Sequence, residues 1–198
     1  MYPTLRDNKD YTSIVNDKQY NRLQGYLEDA RDQGATIIEL NSKKESLTEV
    51  RKIAPTLLTG VTTEMEIMKN EIFGPILPIL EYEHIEDALQ FINSRPRPLA
   101  FYYFDIDMAR ADYVAGRTHS GHFGINQTLT HVAQDDLPFG GIGASGMGKY
   151  HGKEGFFSFS HERSVMSNPV SPKLYSLKFI LPPYNKAAHK LLLKTLFR

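Results

Sequence analysis

Glu71-Ile72-Phe73-Gly74-Pro75 sets a carboxylate two residues before an aromatic ring, and Gly-Pro then leads into an apolar run. A carboxylate at the mouth of a sheet can accept two hydroxyls of a sugar, and a ring beside it can pack on a flat heteroaromatic. A strand-opening turn with a solvent-facing glutamate is the other reading of the same residues. Gly141, Gly143 and Gly146 match G-x-G-x-x-G, and Gly143 to Gly148-Lys149 matches the first part of a phosphate-binding P-loop, with Tyr150 where Ser or Thr is required. Both motifs need a strand feeding the loop and a helix leaving it. Pro138-Phe139-Gly140 ahead and further glycines behind supply neither, so the favoured reading is a compact loop that needs glycine backbones. Ser145, His131 and Asp135 form a hydrolytic triad only on paper, because no G-x-S-x-G surrounds the serine. His119, His122, His131, His151 and His161 offer imidazoles without a helix-spaced carboxylate, and no metal site is expected.

Composition narrows the chemistry further. The 198 residues include no cysteine, which excludes disulfides, cysteine zinc sites, iron–sulfur clusters and a thiol nucleophile on this chain. Twenty-three basic residues balance twenty-three acidic ones, so no global field favours nucleic acid, and none is expected as a partner. The length suits one domain or slightly more, burying roughly 70% of the unfolded surface. No apolar run approaches the ~20 residues of a membrane span, and the first residues carry no signal-peptide core. A cytoplasmic protein is the expectation.

The elements that must position these groups read as α/β. Ile14, Leu23, Leu27 and Ala30 fall mostly at helical spacing, with Thr12 or Ser13 as N-cap and Gly34 as the stop. Strands are predicted over residues 35–40, 56–61 and 76–82, and a short capped helix over 64–69. Ile85, Ala88, Leu89 and Ile92 form the stripe of an amphipathic helix that ends at Arg95-Pro96. Residues 99–104 (LAFYYF) read as a strand buried on both faces, followed by a helix over 108–117 capped by Asp105 or Asp107 and a strand over 122–126. The alternation argues a parallel α/β layer. Residues 137–155 hold half of the fourteen glycines and read as a long shaped loop. Residues 156–166 alternate partially and read as an edge strand. Pro169, Pro172, Pro182 and Pro183 mark a linker, and a short basic amphipathic helix is predicted over 185–198.

Several short motifs, taken in order, carry a resemblance. Residues 71–75 (EIFGP), 95–100 (RPRPLA), Asn126, 131–134 (HVAQ), 137–141 (LPFGG) and 145–148 (SGMG) together resemble the C-terminal part of NAD(P)-dependent aldehyde dehydrogenases. Residues 11–23, the Ala54-Pro55-Thr56 turn and residues 150–153 fit as well. Within that family the likeness is nearest to coniferyl aldehyde dehydrogenases and their long-chain and aromatic-aldehyde relatives, over roughly residues 2–168. Gly121-His122 departs from the usual Gly-Gly pair, and Gln127 and Asn70 stand where acids are common.

The resemblance implies the C-terminal half of the family's catalytic domain, with a mostly parallel sheet, an oligomerisation strand and a short C-terminal helix. In chain order these are a partial catalytic domain over 1–155, an arm over 156–168, and a linker with a basic helix over 169–198. Members of the family oxidise an aldehyde through a cysteine thiohemiacetal, hydride transfer to the nicotinamide and thioester hydrolysis. The cysteine, the general-base glutamate and the dinucleotide domain all lie before the matched region. By resemblance Glu71 holds the nicotinamide ribose hydroxyls and Phe73 packs near the nicotinamide ring of NAD or NADP. Phe139 lines the aldehyde pocket, Asn126 belongs to its floor, and His131 stands near its entrance. The substrate class implied is an aromatic aldehyde such as coniferyl aldehyde, or a long-chain one, with this chain inactive alone. The arm implies a homodimer or homo-oligomer by strand addition. A non-enzymatic interaction module is the alternative, since half a domain leaves apolar edges uncovered. Leu191, Leu192, Leu193, Leu196 and Phe197 beside Lys186, Lys190, Lys194 and Arg198 suit docking on protein or peripheral contact with a membrane.

Overall fold

The computed structural model describes residues 2–167 and 187–196. The chain divides into two compact units, residues 1–94 and 95–198. That division falls inside the span read from the sequence as one partial catalytic domain.

The first unit is built around α1 (Asp17–Asp32), whose Leu23, Leu27 and Ala30 fall on one buried face. The helix starts three or four residues later than the expected N-cap implies. Asn16, not Thr12 or Ser13, is its N-cap, with the Asn16 side chain accepting from the Gln19 N–H at 2.9 Å. Residues before it are held off the helix by long-range pairing, as in the 2.8 Å bond from Ile14 N–H to the Arg51 carbonyl. Past Gly34 the chain enters β1 (Thr36–Glu39), antiparallel to β2 (Thr56–Thr59), which pairs in parallel with β3 (Ile76–Pro78). Thr56 stands opposite both Glu39 and Ile76, which sets the register. Under α1 lie Leu58, Met65, Ile67 and Ile76, which close the core with the helix's own apolar face. The helix predicted over 64–69 is a single 3-10 turn, Glu66–Met68, capped from outside by the Asp29 carboxylate at 2.8 Å.

A second small cluster of Leu5, Leu47 and Ala54, with Tyr11 against it, anchors the N-terminal segment. The Lys52 ammonium, 7% exposed, donates to the carbonyls of Leu5, Arg6 and Asn8 at 2.8, 2.8 and 2.9 Å. Facing it, the Glu45 carboxylate accepts the N–H groups of Leu5 and Arg6. The last helix of the unit, α2 (Ile85–Asn93), forms as its stripe predicts, with Leu89 buried.

In the second unit β4 (Ala100–Tyr103), α3 (Met108–Ala115) and β5 (His122–Ile125) make a β-α-β unit with parallel strands in the register Ala100–His122. Asp107 caps α3 by accepting from Ala109 and Arg110. Ala111 and Val114 bury the helix face. All four residues of β4 are half-buried: among the described residues β5 is its one strand neighbour, and the doubly covered strand of the sequence reading is not formed there. Both sheets together bear out the α/β class, with two of three strand pairs parallel.

The glycine-rich segment closes on itself. Phe139 and Tyr150 exchange backbone hydrogen bonds at 2.9 and 2.8 Å, with a 3-10 turn at Gly143–Ser145 between them. The strand expected from residue 156 is corrected here: α4 (Gly152–Ser158) runs through it, and residues 161–167 form neither helix nor strand. The Lys149–Glu154 pair at 2.9 Å and the Ser158 hydroxyl, which donates to the Glu154 and Lys149 carbonyls, favour the helical turn over FFSFS alternation. The C-terminal α5 (Ala187–Leu196) forms inside the predicted helix. The proline-rich linker lies outside the described residues. No helix among the described residues is long and apolar enough to cross a membrane.

Candidate functional site

In the first unit the candidate groups sit on the turn that enters β3. Phe73 adopts a left-handed backbone, φ +52°, and its ring is 83% exposed. For a residue with a Cβ this conformation costs of the order of 1 kcal/mol, so its neighbours must enforce it. Two residues of α1 do so. Leu23 packs so closely on Gly74 that a Cβ there would stand 2.5 Å from the leucine side chain, which is why glycine follows Phe73. Arg22 donates to the carbonyls of Glu71 at 3.1 Å and Ile72 at 2.7 Å.

The result is an unusual display. The Glu71 carboxylate is exposed and has no hydrogen-bond or ionic partner among the described residues, although its own carbonyl is held. Phe73 rims a cavity of about 740 Å³ whose other wall comes from the lead-in to α1 (Tyr11, Ile14 and Asn16) and from Gln19 in its first turn. A free carboxylate, a bare ring two residues away, and the amide of Gln19 on the same cavity fit a nucleoside with a planar base and a cis-diol. Sequence reading found Glu71 and Phe73 and missed Gln19 and Arg22. The i, i+3 spacing of Gln19 and Arg22 marks a shared helix face, but nothing local ties that face to residue 71.

The second unit gathers the other candidates into a column of rings. His131, 5% exposed, stacks on His122 with centroids 3.7 Å apart and planes 7° from parallel. On it also lies Phe139, at 5.7 Å and 28°, and His151 stacks on Phe139 at 5.5 Å and 22°. Tyr102 of β4 closes one side of His131. His122 Nε2, His131 Nδ1 and His151 Nδ1 are buried without hydrogen-bond partners among the described residues. Burial, and then the charge of His131, push the His122 imidazole below its ordinary value. His122 and His151, unlike His131 and Phe139, were not singled out for this column by the sequence.

Asn126 is spent on structure. It holds φ +53° and locks the turn after β4, its side-chain oxygen accepting from Asp105 N–H at 2.9 Å while its amide donates to the Asp105 carbonyl at 2.8 Å. Asp105 also grips Arg110 through two hydrogen bonds and accepts from the Asp107 N–H and Tyr103 hydroxyl, which together hold its carboxyl well below the usual carboxylate range. Asn126 therefore fixes where the β5 turn runs, with both ends of its amide engaged.

The decoys resolve geometrically. Ser145 donates its hydroxyl to the Ile142 carbonyl and accepts the Ile142 N–H, and Lys149 pairs with Glu154. A Cβ on Gly141 would lie 2.1 Å from the Ser145 carbonyl oxygen, so these glycines serve close backbone approach. Among the described residues no three His, Cys, Asp or Glu side chains converge as metal ligands.

Residues 2–165 match the Aldehyde dehydrogenase family. The chain is 49% identical over 197 residues to a probable coniferyl aldehyde dehydrogenase of Pseudomonas aeruginosa, covering 100% of this chain and 40% of that one. A substrate-bound Staphylococcus aureus AldH structure superposes with a TM-score of 0.72 at 39% identity, over 96% of this chain and 39% of that one. A Mycobacterium tuberculosis aldehyde dehydrogenase complexed with NAD+ gives 0.66 at 31% identity, over 74% and 30%. The chain spans about 40% of the length of the curated relatives it matches.

Proposed function

The chain belongs to the aldehyde dehydrogenase family, and on that premise we propose that it supplies cofactor and substrate contacts of an enzyme oxidising an aldehyde to its acid with NAD or NADP. The observation that carries this reading is the display at the β3 turn: an exposed Glu71 carboxylate with no partner among the described residues, two residues before a bare Phe73 ring on the rim of a cavity. Glu71 accepts the two ribose hydroxyls, Phe73 packs on the nicotinamide, and Gln19 offers its amide from the opposite wall. When bound, the nicotinamide supplies the hydride acceptor. The chain's own residues bind and orient it, and they hold no thiol to attack the carbonyl, since the sequence has no cysteine. The chain alone is therefore inactive.

On the substrate side the reading assigns Phe139 and His131 to the wall of an aldehyde pocket and Asn126 to the turn that shapes its floor. The stacked rings suit a flat aromatic aldehyde, coniferyl aldehyde included, and the relatives' names favour that class over long-chain aldehydes. Phe156, Phe157 and Phe159 are exposed around the end of α4, which supports a subunit contact over residues 156–168 in a homodimer or larger oligomer.

Saturation-transfer NMR with NADH tests the cofactor reading directly. The wild-type chain shows transfer to the nicotinamide ribose protons, and Glu71→Gln weakens binding about tenfold by removing a charged acceptor. Absence of transfer in the wild type, or equal binding by the variant, overturns it. Aldehyde oxidation above background by the purified chain would overturn the claim that it is inactive alone.

A further inference from the structure

We infer that Arg22 is a positioning residue that sets the Glu71–Ile72–Phe73 turn in its binding-ready form; the inference rests on the cofactor reading above and names what makes that site. The guanidinium uses four of its five donors. Nε donates to Gln19 Oε1 at 2.6 Å, Nη1 to the Tyr26 hydroxyl at 3.0 Å and the Glu71 carbonyl at 3.1 Å, and Nη2 to the Ile72 carbonyl at 2.7 Å. The group also lies over the Tyr26 ring, 5.1 Å from its centroid. Every partner other than the two carbonyls belongs to α1, so one planar fork is braced on a helix and reaches across to two successive peptide groups.

What those peptide groups carry is the point of the arrangement. Phe73 follows directly, in a left-handed conformation that a phenylalanine does not choose for itself. With the Glu71 and Ile72 carbonyls turned toward α1, the Glu71 side chain is left unpartnered and the Phe73 ring stands out at the cavity rim. Leu23, the next residue of α1, fills the space against Gly74 and blocks the turn from relaxing inward. Gln19 connects the two halves: it orients Arg22 through its carbonyl oxygen and lines the same cavity as Phe73. A lysine at position 22 would keep the charge and lose the fork, and could not bind both carbonyls while braced on Gln19 and Tyr26.

The test uses the whole chain with Arg22→Lys and three readouts: the NADH dissociation constant by saturation-transfer NMR, the backbone shifts of Phe73 and Gly74 that report the left-handed conformation, and the thermal midpoint. Arg22→Lys is expected to weaken NADH about tenfold and to move the Phe73 shifts out of the left-handed range, at nearly the wild-type midpoint. If Arg22→Lys fails to fold, Gln19→Leu is read instead, with a smaller displacement of the Phe73 shifts in the same direction. Unchanged Phe73 shifts, or a lowered midpoint with the turn intact, would show Arg22 to be merely structural. Should the wild type bind no NADH, the cofactor reading falls, and the Phe73 shifts still decide whether Arg22 sets the turn.

Discussion

Replacing Lys52 with methionine isolates how the N-terminal segment is held. The ammonium is buried and gives all three of its protons to carbonyl oxygens, those of Leu5, Arg6 and Asn8, at 2.8 to 2.9 Å. A hydrogen bond from a charged group contributes about 1.5–3 kcal/mol, but three sharing one donor are not additive. Methionine keeps most of the stem's packing while leaving three carbonyls turned toward an apolar tip, and loss of one partner from a buried charged network typically costs about 3–5 kcal/mol. Water can rehydrate the Asn8 carbonyl at the surface most easily, so the lower end of that range is expected, about 3 kcal/mol. With a urea m-value near 1.5 kcal/mol/M for a unit of this size, the midpoint drops by about 2 M. Limited proteolysis should then cut among residues 4–10 before the rest of the chain. Lys52→Arg should fare little better, because a planar fork cannot aim three donors at one converging set of oxygens. A midpoint shift below about 0.5 M, with the N-terminal segment still protected, would show that the carbonyls find water at no cost and refute the reasoning.

Three further outcomes follow from the same geometry. The Glu45 carboxyl is held below its ordinary value of 4.5 chiefly by the Arg6 and Leu5 N–H groups, so its stabilising contribution is complete above 4.5 and is lost as pH falls through the folded value. Amide protection at Leu5 and Arg6 should decline over that window, and Glu45→Gln should abolish the pH dependence. The His122 imidazole lies below its ordinary 6.5, so the unfolded chain takes up the proton first and stability falls as pH drops below 6.5. His122→Phe keeps a ring on His131 and should flatten the urea midpoint against pH in that region; an unchanged profile would remove His122 as the titrating group. A Cβ on Gly121 would stand 2.2 Å from the Gly140 carbonyl oxygen and 2.7 Å from that of Leu99, both backbone, so Gly121→Ala must part β5 from the glycine-rich loop. A loss of about 2–3 kcal/mol by thermal denaturation is expected, with the Phe139–Tyr150 bridge disturbed.

How far the sequence could be read depended on whether a residue's partner was local. Leu23, Leu27 and Ala30 announce α1 by spacing, Asp105 or Asp107 announces a cap for α3 (Asp107 takes it), and residues 85–92 announce α2, because each signal is complete within two turns. The start of α1 differs for the opposite reason: Ile14 pairs with Arg51, thirty-seven positions away, and that long-range bond lies outside any local signal. The strand read from residue 156 failed because partial alternation in FFSFS is outweighed by hydroxyls that bond back along a helix. Glu71 and Phe73 were legible as a chemical pair, whereas the device that presents them was not, since Arg22 lies forty-nine positions from Glu71.

The same contrast separates the two candidate sites. At the β3 turn the structure spends its strong interactions on the backbone of residues 71 and 72 and leaves the Glu71 and Phe73 side chains without partners. Around Asn126 it does the reverse, committing the whole amide to the Asp105 peptide. A group that is held by its backbone and left idle at its tip is arranged to receive something; a group bonded at every atom is arranged to hold its surroundings still. On that distinction Glu71 and Phe73 suit the contact role proposed for them, whereas Asn126, like Arg22, holds the backbone around it. His131 shares features of both kinds, stacked against His122 and Phe139 yet with its buried Nδ1 unpaired among the described residues.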